Sequence, residues 1–119
     1  MTVTVTREYL DKIDDLIAEK VMGFTKFNKY GDLGWGIKGE RWYSSYAPSR
    51  SLDHAWELVE KYFVQITPQI NASEDFKFLA SIPSQDETQG DIEVFAHTAP
   101  LAITLAVLEY EGIENPNED

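Results

Sequence analysis

The sequence predicts an α+β fold: a three-layer α/β/α sandwich around a small, mostly antiparallel sheet. Three observations carry this expectation. Three segments have helical periodicity, an aromatic and glycine-rich stretch lies between the first two, and a pair of short alternating segments lies before the third. Helices that flank a sheet of three or four strands can bury both of its faces. The strand–helix alternation that a doubly wound parallel sheet needs is not evident.

The first helix is expected from about Arg7 to Val21, with Thr6 as its cap and Glu8 and Asp11 near its positive end. Leu10, Ile13, Ile17 and Val21 form one apolar stripe, while Asp11, Lys12, Asp14, Asp15 and Glu19 occupy other faces. Gly23 is the expected stop. Gly31-Asp32-Leu33-Gly34 reads as a turn, and Trp35 to Tyr43 as one strand or two short ones. Trp35, Ile37 and Tyr43 then share a face.

Ser51 is expected to cap a second helix that runs to about Val64. Its predicted core face is Leu52, Ala55, Trp56, Val59 and Phe63, with Glu57 and Lys61 as an exposed i,i+4 pair. Thr67-Pro68 breaks the pattern. Phe76 to Ile82 alternates with period two and Pro83 ends it, while Ile92 to Ala96 forms a second strand beyond a polar connection, Ser84 to Gly90. The third helix starts at Thr98, tolerates Pro100 in its first turn and ends at Gly112. Its stretch from Ala99 to Leu108 is apolar on almost every side, which calls for complete burial or a subunit contact. A single domain over 1–113 with a flexible acidic tail at 114–119 is expected.

The chain has 119 residues and a net charge of -11, from 21 acids against 10 bases. Such a field repels nucleic acids and anionic membranes, so neither is an expected partner. No cysteine is present, which removes disulfides, thiolate nucleophiles and cysteine-held zinc. Gly34-Trp35-Gly36-Ile37-Lys38-Gly39 spells G-x-G-x-x-G, but no apolar strand precedes it and no helix comes after it. Crowding around Trp35 and Trp42 explains these glycines better. His54 and His97 stand alone, without the spacing of a metal site, and the neighbouring acids Asp14 and Asp15 lack the separation that glycosidic cleavage needs. No enzyme, cofactor or metal is therefore expected. The richest recognition segment runs from Lys38 to Arg50. Arg41 and Arg50 could clamp phosphate, Trp42, Tyr43 and Tyr46 could stack on a base, and His97 sits beside a helix N-terminus, where anions bind.

Leu16 to Phe24, Ala55 to Lys61 and Thr98 to Ile103 together resemble the phage ABA sandwich domain family. Phe24 stands where that family commonly has tryptophan, and Tyr43-Ser44 matches its Tyr-Ser element before the second helix. More distantly, the family resembles phage proteins that defeat Thoeris immunity by sequestering a cyclic ADP-ribose signal. That resemblance implies a homo-oligomeric sponge in the host cytoplasm that binds its ligand without turnover. The alternative is an interaction module that inhibits a host or phage protein, with the acid-rich first helix steering it to a basic partner.

Overall fold

The computed structural model describes residues 6–83 and 90–114. The tail at 115–119 and the connection at 84–89 lie outside the described residues. Thr6 caps α1 (Arg7–Leu16) by accepting the Tyr9 N–H at 3.1 Å. The helix continues as a π-helical turn over Ile17–Val21, in which the Met22 N–H reaches the Ile17 carbonyl. Gly23, at φ +71°, ends it in the left-handed region that glycine adopts without steric cost.

Residues 25–43 form one antiparallel meander: β1 (Thr25–Lys29), β2 (Asp32–Ile37) and β3 (Arg41–Tyr43). The turn between β1 and β2 is Tyr30-Gly31, with φ +56° and +84°, the double left-handed geometry of a tight hairpin. It precedes the expected turn, and Leu33 and Gly34 belong to β2 instead. Trp35 opposes Tyr43 and Ile37 opposes Arg41, so Trp35, Ile37 and Tyr43 do share a face. On the other face, a Cβ on Gly34 would lie 2.6 Å from the Trp42 ring, and one on Gly36 would lie 2.1 Å from the Arg41 carbonyl oxygen. These glycines exist for close strand approach and not for a phosphate.

Ser51 caps α2 (Leu52–Tyr62). The predicted core face of this helix is corrected. Ala55, Leu58 and Tyr62 are buried, whereas Leu52 is 52%, Trp56 53% and Phe63 69% exposed. Glu57 does not form the expected pair with Lys61. It turns to the first sheet, where it accepts from Arg41 and Tyr43. The helix stops at Phe63, a non-glycine residue held at φ +56°.

The second sheet has the order β4 (Gln65–Pro68), β5 (Phe78–Ile82), β6 (Ile92–Ala96), again antiparallel throughout. The β strands are thus divided between two sheets, and two of them, β1 and β4, lie outside the segments that sequence patterning marks as strands. Pro68, a breaker by its pattern, ends an edge strand, a place that needs no amide donor. Phe76 lies in a short 3₁₀ turn, Glu74–Phe76, before β5. Thr98 caps α3 (Ala99–Tyr110). This helix contacts β5 and β6 on one side and α2 and α1 on the other, and buries Leu101, Ala102, Ile103, Thr104, Ala106, Val107 and Leu108. The α+β sandwich is built around it.

Gly36→Ala is expected to lower unfolding stability by about 1–3 kcal/mol, because the new methyl collides with β3 backbone. Urea titration checks this. A neutral result would mean that the β2–β3 pairing relaxes freely.

Candidate functional site

Two knots of polar and aromatic side chains hold the segment between β3 and α2 in place. The first is centred on Asp14 of α1, only 2% exposed. Its carboxylate accepts the Ser49 N–H at 2.8 Å, the Ser49 hydroxyl at 2.9 Å and Arg50 Nη2 at 3.1 Å. Burial raises the Asp14 pKa above its ordinary 3.8, and the Ser49 and Arg50 bonds only partly offset this. Arg50 Nη2 also donates to Asp11 at 2.8 Å.

The second knot is aromatic. Tyr46 packs edge-on to Phe24 at 5.0 Å and stacks on His54 at 5.1 Å, while Tyr43 lies 5.4 Å away. The His54 Nδ1 accepts the Ala47 N–H at 2.9 Å, and burial lowers the pKa of the ring below its usual 6.5. Arg41 Nη1 donates to both Glu57 oxygens, at 3.0 and 2.8 Å, and the Tyr43 hydroxyl donates to Glu57 at 3.0 Å. Burial and the adjacent Glu57 raise the Tyr43 pKa. The Tyr46 hydroxyl is buried without a hydrogen-bond partner among the described residues, and its pKa is pushed up, first by burial.

A cleft of about 300 Å³ opens between α1, the β1–β2 hairpin and this segment. Asp11, Asp14 and Asp15 line one wall. Lys26 and Trp35 line another, and Ser44, Ser45, Tyr46 and Arg50 complete it. A second depression of about 420 Å³ shares Asp15, Lys26 and Trp35 and extends to Glu19, Phe24 and Thr25. The two form a continuous trough along α1. Asp11, Asp15 and Glu19 stand at i, i+4 and i+8, one stripe of the helix facing the hairpin.

Of the residues nominated from sequence, Tyr46 and Arg50 line the cleft. Arg41 and Tyr43 are engaged by Glu57 outside its lining. Trp42 lies on the opposite face of the sheet from Trp35, with its Nε1–H donating to the Phe27 carbonyl at 3.2 Å. His97 is exposed and belongs to a separate depression of about 320 Å³ at the start of α3, which Arg50 also borders. Sequence reasoning marked the first helix as acid-rich but missed Lys26 and Trp35 beside it and the turning of Asp11, Asp15 and Glu19 toward them as one stripe. The i, i+4, i+8 spacing of the acids was the available signal.

Among the described residues, no group of three or more His, Asp or Glu side chains is placed to hold a metal ion. No described helix is long and apolar enough to cross a membrane.

Fold and trough together define a small α+β sandwich with an acid-lined surface along its first helix. The chain belongs to the phage ABA sandwich domain family, whose model matches residues 15–108. It is also similar in fold to a phage protein from Bacillus cereus ATCC 14579, known from a 2.0 Å crystal structure. The two are 24% identical over 91% of this chain and 95% of that one, with a TM-score of 0.61. No curated protein matches the chain.

Because the folded ring favours its neutral form, the unfolded chain binds a proton first as pH falls through 6.5. Stability contributed by neutral His54 is therefore complete above that value and is lost as pH falls toward the folded-state pKa. His54→Asn, which keeps an acceptor for Ala47, is expected to show a smaller loss of stability between about pH 7.5 and about pH 5.5 than the parent chain. Denaturant midpoints at the two pH values measure this, and equal slopes would show that His54 is not responsible.

Proposed function

We propose that this phage family member works by binding and not by turnover, and that it docks a basic segment of a partner protein on the trough along α1. One observation carries the reading. The described acids that line the trough outnumber its two cations, and Arg50, one of those two, is already paired with Asp11 and Asp14. Arg41, the other arginine suited to a phosphate, is paired with Glu57. The trough thus favours positive charge, and the overall charge of -11 steers a basic partner toward it.

Asp15 and Glu19 are both exposed, so charge reversal there leaves the core intact. The double variant Asp15→Lys, Glu19→Lys is expected to lose capture of basic partners from host lysate, and raised salt should elute them from the parent protein. An unchanged set of captured proteins would reject this reading.

Sequestration of a cyclic ADP-ribose-type signal by a homo-oligomer in the host cytoplasm is the second reading. Its support is Trp35, Ser44 and Ser45 around one cleft, with Tyr46 in the same lining and its hydroxyl buried without a hydrogen-bond partner among the described residues. Calorimetry with cyclic ADP-ribose isomers and cyclic dinucleotides tests it. On this reading Tyr46→Phe weakens binding about fivefold or more by removing one hydrogen bond, while the unliganded fold is no less stable. A panel without binding rejects it.

A further inference from the structure

Lys26 and Trp35 are directly opposed across β1 and β2. The Lys26 ammonium sits 5.0 Å from the centroid of the Trp35 ring. It lies at the junction of the two depressions, with Asp15 in the lining of both and Glu19 at the far end. Among the described residues, Lys26 forms no ion pair with either acid. The chain's own cation is thus seated on an aromatic face inside an acidic trough. That is the chemistry that holds ammonium and guanidinium groups, through the negative face of the ring and nearby carboxylates.

We infer that Trp35 and Asp15 form a seat for a lysine or arginine side chain of the partner, and that Lys26 fills this seat in the free protein as a built-in competitor. The inference rests on the reading that the trough docks a basic segment. An incoming side chain displaces Lys26 from the ring, lays its own methylenes on Trp35 and brings its charge to Asp15. The displaced Lys26 swings into solvent, since it is exposed. The seat selects for basic side chains on flexible stems, and Lys26 sets a threshold that weakly charged segments do not pass.

Calorimetry with a synthetic pentalysine peptide tests this on the full chain. The variants are Lys26→Met, which keeps the stem and removes the charge, and Lys29→Met, which removes an equal charge from the same strand. Lys29 lies over Tyr30, away from the trough lining. Lys26→Met is expected to tighten binding about fivefold beyond the effect of Lys29→Met, and adding Asp15→Asn should reverse the gain. Equal effects of the two lysine changes, with salt-sensitive binding retained, would overturn the seat while leaving electrostatic docking in place. Weaker binding by Lys26→Met would also overturn it. No pentalysine binding by any variant would remove the docking reading itself, and the seat with it. Thermal unfolding of each variant shows that the proteins compared are folded.

Discussion

Seven of the twelve residues of α3 are buried, and they point in every direction around the helix axis. A helix of that kind has no face to offer water, so something must cover it from each side. The second sheet does so from one side through Phe78, Ala80 and Ile82 of β5 and the matching residues of β6. From the other side α2 supplies Ala55, Leu58 and Tyr62, and α1 supplies Ile13 and Ile17. The one hydroxyl in the middle of α3, on Thr104, donates to the Pro100 carbonyl within the helix and so asks nothing of its neighbours. Once α1 and α2 are fixed against this axis, the segment between them must cross from the first sheet to the second helix. The trough forms along that crossing.

The crossing is secured by polar contacts because it is loop. Loops carry backbone groups that need partners when they are buried. Asp14 supplies partners for Ser49, and His54 supplies one for Ala47. Each is an ionisable side chain whose charged form is disfavoured by burial, which moves the Asp14 pKa upward and that of His54 downward. Acid therefore acts in opposite senses on the two. Protonation relieves the desolvation of Asp14 but puts a charge on a ring that must accept a hydrogen bond. The two anchors, which hold Ala47 and Ser49, thus respond to acid in opposite directions.

Much of this was legible in the sequence where the pattern had one solution. The three caps, Thr6, Ser51 and Thr98, sit at the helix starts, and the period-two segments pair as β5 and β6. The second helix was legible only in part. The expected face is Leu52, Ala55, Trp56, Val59 and Phe63, of which Ala55 is buried and Val59 packs against the core, while Leu58 and Tyr62 complete the buried face. The structure packs Ala55, Leu58 and Tyr62 toward α3, and Glu57 meets Arg41 and Tyr43, contacts between residues far apart in the chain that periodicity cannot reveal. The same gap explains the site. Arg41 and Arg50 read as free cations in the sequence, since nothing local shows that Glu57 and Asp14 would meet them. Alternation assigns Trp35 to the correct face, but the partner across that face, Lys26, lies in a strand that charge and polarity conceal.

The acids of α1 illustrate how one helix serves two environments. Asp14 points inward and is consumed by the fold, while Asp11, Asp15 and Glu19 run along a different stripe toward the hairpin. The π-helical turn begins at Ile17, between Asp15 and Glu19, and ends at Val21, just before Gly23 reverses the chain into β1. A π turn holds more residues than an α turn, so it shifts the angular position of the residues after it. Here the extra residue lets Ile17 and Ala18 stay buried while the chain exits toward Phe24, whose ring closes the aromatic knot under Tyr46. With Phe24 fixed there, Thr25 and Lys26 must leave along the trough, and the side chain that β1 directs at Trp35 is a lysine. The position of that cation beside the acid stripe is therefore a consequence of how the first helix ends, which makes the irregular turn part of the trough's shape as well as part of the fold.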